Sequence, residues 1–235
     1  MLAAMAKKDL PPRGPQLDLA GALGVAFVNT AAARPENRQV GVRTYEELLT
    51  WSQQTGVVST VEAESLRRRA AERPEEAAAA LARAVELRAA LIRLFLATAA
   101  DAMPTAADLD AVNRALAAAM PARRLVPGET GLVWGWGGDA DALDRVLWPL
   151  VESAAELLIS TAGRPHVRRC AAVDCGLFFV DRSSSRQRKW CEMKTCGNRV
   201  KSLRHYHRLG KGRRRDHFRK LGLWHNDKPR PSTKL

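Results

Sequence analysis

The sequence predicts a mainly α fold with one small β element, followed by a small C-terminal module and a basic tail. Three observations carry that prediction. Apolar residues at helical spacing, punctuated by capping signals, run through most of the chain up to Thr161. All four cysteines fall in one short stretch, Cys170-x4-Cys175-x15-Cys191-x4-Cys196. The charge is split: residues 164–235 hold 21 Lys and Arg against 5 Asp and Glu, a net +16, which leaves −3 for residues 1–163 within the total of +13.

Residues 1–16 have the charges and prolines of a disordered leader, and no export signal. Leu17 to Ala33 is apolar and small-residue rich, and contains Ala26-Phe27-Val28-Asn29-Thr30; Arg34 to Arg43 reads as loop. Thr44-Tyr-Glu-Glu47 and Ser59-Thr-Val-Glu62 have capping-box spacing, so one helix starts at Thr44 and stops near Gly56, and a second ends before Pro74. Pro74-Glu75-Glu76 suits a first helical turn, with proline where its missing N–H costs little and acids at the positive end of the dipole. The helix it opens extends to Met103, with Leu81, Val85, Arg88, Leu91 or Ile92, Phe95 and Ala99 as its buried stripe. Thr105 caps a further helix to Ala119 with Leu109, Val112 and Leu116 inward. Pro121 to Gly128 reads as loop and Gly131 to Gly138 as a short strand or hairpin. Ala142 to Thr161 is helical, kinked or broken at Pro149, and buries Leu143, Val146, Leu147, Leu150, Leu157 and Leu158. Gly163-Arg164-Pro165 makes a hinge, so the expected divisions are a helical domain over 17–163, a module over 164–209 and a tail over 210–235.

Two close cysteine pairs across a hairpin-sized gap bring four thiolates to one tetrahedral zinc. The competing reading, two disulfides, needs an oxidising compartment. With four cysteines closing the tetrahedron, His166, His205 and His207 are not needed as ligands, and no position is left for a reactive water. Gly176 to Asp181 reads as a strand, Ser183 to Ser185 as a turn, and Met193 to Leu209 as a helix carrying the last ligand in its first turn. Knuckle, hairpin and helix together make a treble-clef arrangement. Loss of Cys191 should then unfold this module and leave the helical domain folded.

On that last helix Cys196, Val200 and Leu203 recur on the metal and core side, while Lys194, Asn198, Lys201, His205 and Arg208 recur on another face. Such a row offers phosphate-binding cations and an asparagine able to pair with a base edge. Arg199 and Arg204 add charge beside it, and the tail adds Lys211, Arg213, Arg214 and Arg215. A near-neutral body joined to a strongly basic end fits a polyanionic partner, because neutralising phosphates releases counterions. A solvated basic tail that binds nothing in particular is the plainer alternative.

The run Cys196-Gly197-Asn198-Arg199, with the upstream cysteines, Phe179, Asp181 and Trp190, resembles the CGNR zinc finger of bacterial proteins that carry an N-terminal ABATE domain. Upstream, Phe27-Val28-Asn29-Thr30 is similar to that family's Asp-Phe-x-Asn-Thr motif, with Ala26 in place of the aspartate; Glu86-Leu87-Arg88 and the helix from Pro149 to Leu158 are also similar. The resemblance implies a stress-responsive transcription regulator: a helical sensor domain followed by a zinc-bound nucleic-acid-binding end.

For a sensor, Asn29, Thr30, Arg88, Trp134 and Trp136 are the candidate pocket residues. Arg88 either clamps a carboxylate or phosphate bidentately or runs its stem past apolar neighbours to water or a local acid. The tryptophans equally suit core or dimer contacts. An enzyme is not expected: residues 1–163 contain no histidine, and there is no Gly-rich phosphate loop and no nucleophile elbow. Asp108, Asp110, Asp139 and Asp141 sit where acids cap helices. No apolar run reaches the ~18 residues that span a bilayer, so the expectation is a cytoplasmic, nucleoid-associated protein with one structural zinc. Its expected partner is double-stranded DNA, with a small-molecule effector and a second copy of the chain as further candidates. RNA or ribosome association, and a zinc-stabilised protein-interaction module, are the alternatives.

Overall fold

A computed structural model describes residues 19–31, 41–128, 131–139, 141–159 and 167–205. The leader, the Gly163-Arg164-Pro165 hinge, His166, His207, Arg208, Lys211, Arg213, Arg214, Arg215 and the rest of the tail lie outside them, as does most of the predicted 34–43 loop. The chain divides between Cys191 and Glu192 into two compact units.

The first unit begins with α1 (Leu19–Asn29), α2 (Tyr45–Gln54) and α3 (Thr60–Glu72). Both predicted capping boxes form: Thr44 Oγ1 accepts from Glu47 N–H and Ser59 Oγ from Glu62 N–H, while each glutamate accepts from its cap's backbone. Helix α4 (Pro74–Ala99) starts on its proline as expected but ends four residues before Met103. Asp101 takes a left-handed φ of 54°, and Ala102 N–H bonds Ala97 O at 2.9 Å. That is a Schellman-type stop made by aspartate rather than glycine, and nothing in the local sequence announces it.

The buried stripe of α4 matches the prediction at Leu91 and Phe95 and is offset from it elsewhere. Ala77, Ala80, Ala84, Leu87, Ala90, Leu91, Leu94 and Phe95 are buried, whereas Val85 and Ala99 are exposed and Leu81, Arg88 and Ile92 are half-buried. Alanines let the neighbouring helices approach closely, so the contact face follows the small residues and not the larger apolar ones. The same happens on α5 (Ala106–Ala119), capped by Thr105 as expected: Ala111, Val112 and Ala119 are buried, Leu116 is half-buried, and Leu109 is exposed. Helix α1 approaches α6 (Trp148–Ile159) so closely that a Cβ on Gly24 would stand 2.8 Å from Ala154 Cβ. Pro149 sits in the first turn of α6, after a 3₁₀ turn over Arg145–Leu147, so it opens the helix instead of kinking it. Five of the six apolar side chains predicted inward there are buried, and Leu158 is half-buried. Residues 160 and 161 lie outside the described residues.

Residues 123–128, predicted as loop, form β1 (Arg123–Gly128), antiparallel to the expected strand β2 (Gly131–Trp136). Pro127 disfavours a strand, yet it is tolerated in a two-stranded ribbon whose outer edge needs no donor. Arg123 and Trp136, whose ring stands 6.0 Å from that of Trp148, join the base of this hairpin to the body. The Arg123 guanidinium lies over the rings of Trp134 and Trp136 at 5.3 and 4.7 Å and pairs with Glu152 of α6 at 2.7 Å.

Candidate metal centre and nucleic-acid interface

The short strand β3 (Val167–Arg169) pairs antiparallel with β4 (Phe178–Val180), Val167 opposite Val180 and Arg169 opposite Phe178. Between them the chain makes a knuckle. Cys170 N–H donates to Leu177 O at 2.8 Å and Cys175 N–H to Ala172 O at 3.0 Å. Gly176 takes φ +67°, which lets the backbone turn from the second cysteine into β4. Ala171 N–H bonds Lys189 O at 2.8 Å, drawing the segment that carries Cys191 alongside the first pair.

All four sulfurs lie within 4.8 Å of one another, Cys175 and Cys191 at 3.6 Å. Four sulfurs at ~2.3 Å from a tetrahedral zinc stand ~3.8 Å apart. The donor set therefore fits the metal. Cys170, Cys175, Cys191 and Cys196 are free of disulfides, and three of them are buried. Burial pushes the Cys170 thiol above its ordinary value, so a thiolate there needs a cation beside it. Donors are already aimed at the sulfurs: Cys191 N–H at Cys170 Sγ, 3.5 Å, and Arg199 Nη2 at Cys196 Sγ, 3.8 Å. When bound, zinc supplies cross-linking and charge neutralisation.

Asp181, almost fully buried, organises the loop between the pairs. Its carboxylate accepts from Ser183 N–H and Oγ and from Arg188 N–H at 2.7–3.1 Å. Burial pushes its pKa up, but these hydrogen bonds, with Arg168 nearby, outweigh burial and hold the carboxyl below its usual range. Arg188, fixed by that bond, lies over the Phe179 ring at 4.9 Å and donates to the carbonyls of Trp190 and Cys191.

The β3–β4 hairpin is continuous with the helical core. Val167 and Phe178 belong to the same apolar cluster as α4, and the Phe178 and Phe95 rings stand 5.9 Å apart. Asn29, at the end of α1, fastens the hairpin with both ends of its amide: Nδ2 donates to Phe178 O and Oδ1 accepts from Phe178 N–H, each at 2.9 Å. The side chain thereby acts as a third strand one residue long. Thr30 Oγ1 donates to Phe27 O and accepts from Arg88 Nη1, and Arg88 also donates to Val42 O. Burial lowers the Arg88 pKa.

Asn29, Thr30 and Arg88, read in the sequence as pocket residues, are thus brought together and hydrogen-bonded to protein, and Asn29 also lines a cavity of about 240 Å³ with Val28, Ile92 and Arg169. Trp134 and Trp136 stack on Arg123 instead. Sequence reasoning could not find the Asn29 clamp, since the partner is a backbone 149 residues away.

In the second unit Met193–Gly197 forms a π-type turn, closed by Gly197 N–H on Glu192 O at 3.1 Å, and residues 198–205 form a helix, α7. The wider turn shifts Lys194 off the 3.6-residue ladder on which the sequence placed it. Asn198, Lys201 and His205 keep their spacing, and with Lys194 and Arg204 all are exposed. Leu203, expected on the metal side, is 54 % exposed, and Val200 is half-buried. Arg199 is directed at the Cys196 sulfur. Among the described residues no helix is long and apolar enough to cross a membrane.

Two family models match the chain. One, ABATE, described as Putative stress-induced transcription regulator, covers residues 21–161; the other, the CGNR zinc finger, covers residues 166–209. No curated protein matches the sequence.

Proposed function

The chain belongs to the ABATE family, with a CGNR zinc finger after it, and on that premise we propose that it is a zinc-dependent, DNA-binding transcription regulator whose helical domain senses a small molecule. The observation that supports DNA binding is the exposed run Lys194, Asn198, Lys201, Arg204 and His205, which brackets the last zinc ligand in sequence and lies within the segment carrying the excess positive charge. Zinc here is structural. Four thiolates complete its tetrahedron and leave the basic side chains to meet phosphate. Arg199 supports the Cys196 thiolate in this reading, and Asn198 is the residue suited to a base edge.

The test is equilibrium binding of the zinc-loaded full chain to duplex DNA across a salt series. Affinity should fall steeply, with a log–log slope of about −0.9 for each phosphate neutralised. Salt-insensitive binding, or none at low salt, contradicts the proposal. Stronger binding to structured RNA than to duplex DNA would transfer the reading to RNA, whose deep major groove shuts out a helix.

A further inference from the structure

The helical domain contains a cavity of about 210 Å³ that none of the sequence-predicted pocket residues lines. Its floor exists because α5 presents Ala111, Ala115 and Ala118 at i, i+4 and i+7, where larger side chains would fill the space against Leu147 and Trp148. It is larger than a dry cavity of ~150 Å³ that holds benzene, so a six-membered ring or a branched aliphatic chain fits. The mouth is charged. Arg83 pairs with Asp144 at 3.3 Å, and Glu86 with Arg114 at 2.6 Å.

Arg83 and Glu86 are neighbours at i, i+3 on α4, so the four groups form a rim of alternating sign, Asp144, Arg83, Glu86, Arg114. Three of the four side chains are more than half exposed (Asp144 is 26 %), and ion pairs so open to water hold their partners weakly. A ligand with one charge would take the partner from one rim group and leave another unpaired. A ligand with both charges exchanges contacts without that cost: its carboxylate meets an arginine and its ammonium an acid. We infer that this cavity binds an α-amino acid with an apolar side chain, the side chain on the alanine row and Trp148 and the two charged ends in the rim. The inference rests on the reading of the helical domain as a sensor and supplies the ligand class.

Calorimetry of the zinc-loaded full chain with L-phenylalanine tests it, against 3-phenylpropionate, which lacks the ammonium, and phenethylamine, which lacks the carboxylate. Saturable one-to-one binding of phenylalanine is expected, with each analogue at least about tenfold weaker. Ala115→Leu, which fills the floor, should abolish binding, and Arg114→Gln, on the exposed rim, should weaken it with fold and zinc content unchanged. Absence of phenylalanine and L-leucine binding to a chain that still binds zinc and DNA overturns the site and leaves the DNA reading standing. Equal binding of the single-charge analogues overturns the ligand class. Binding that meets these expectations but leaves DNA affinity unchanged supports the site and removes the sensing role from it.

Discussion

Among the described residues there are two antiparallel hairpins, and they are opposites in how they are held. The β1–β2 hairpin pairs six residues on each strand, yet Leu125, Leu132, Val133 and Trp134 on it are 47–70 % exposed. The β3–β4 hairpin pairs only three, yet Val167, Phe178 and Phe179 are buried, Asn29 bonds it from α1, and cysteines flank it. The longer ribbon is attached at its base, through Arg123 and through Trp136, whose ring stands 6.0 Å from that of Trp148; the shorter is built into the core. Ladder length is therefore a poor guide to which hairpin the fold depends on. Burial and anchoring decide it, because a two-stranded ribbon alone is marginal in water.

Four perturbations should separate the two hairpins, with losses that decline in the order given. Cys175→Ser removes a zinc ligand beside the buried hairpin, and should lower overall stability in denaturant unfolding by more than about 4 kcal/mol, with zinc content falling below one per chain. The sequence suggested that the helical domain would be indifferent to losing a ligand; the shared core predicts otherwise. Asn29→Ala removes two hydrogen bonds and leaves the Phe178 amide without them, for a loss of about 2 kcal/mol. Asn29→Asp should do no better, since it turns an oxygen toward Phe178 O.

The third change is in pH. Asp181 has a depressed pKa in the folded state, so its stabilisation is complete above the unfolded value of ~3.9 and is lost as pH falls through the folded value. Asp181→Asn should be less stable than wild type at neutral pH and lose less on acidification, as measured by denaturation at both. On the other hairpin, Trp134→Ala should cost under about 1 kcal/mol, the range of one exposed cation–π contact, and leave zinc content unchanged. A loss there rivalling that of Asn29→Ala would erase the contrast.

The metal centre was legible in the sequence because its information is local: four cysteines, their spacing and the Cys-Gly-Asn-Arg run. Helix starts were legible for the same reason, since Thr44, Ser59, Pro74 and Thr105 act on the first turn that follows them. What escaped depends on distant partners. The α4 stripe was misplaced because helical spacing fixes a face only to within a residue or two, and close packing chose alanines. The strand β1 was hidden because pairing with β2 overrode Pro127. The role of Asn29 was hidden because its partner is an amide on β4, and the cavity because alanines mark it only by what they lack.

Hydrogen exchange along α4, followed by mass spectrometry with zinc bound and after chelation, tests most directly whether the zinc hairpin is part of the helical core. Protection around Leu91 to Phe95, against which Phe178 packs, should fall when zinc is removed. Increased exchange confined to residues 167–205, with α4 as protected as before, would contradict it.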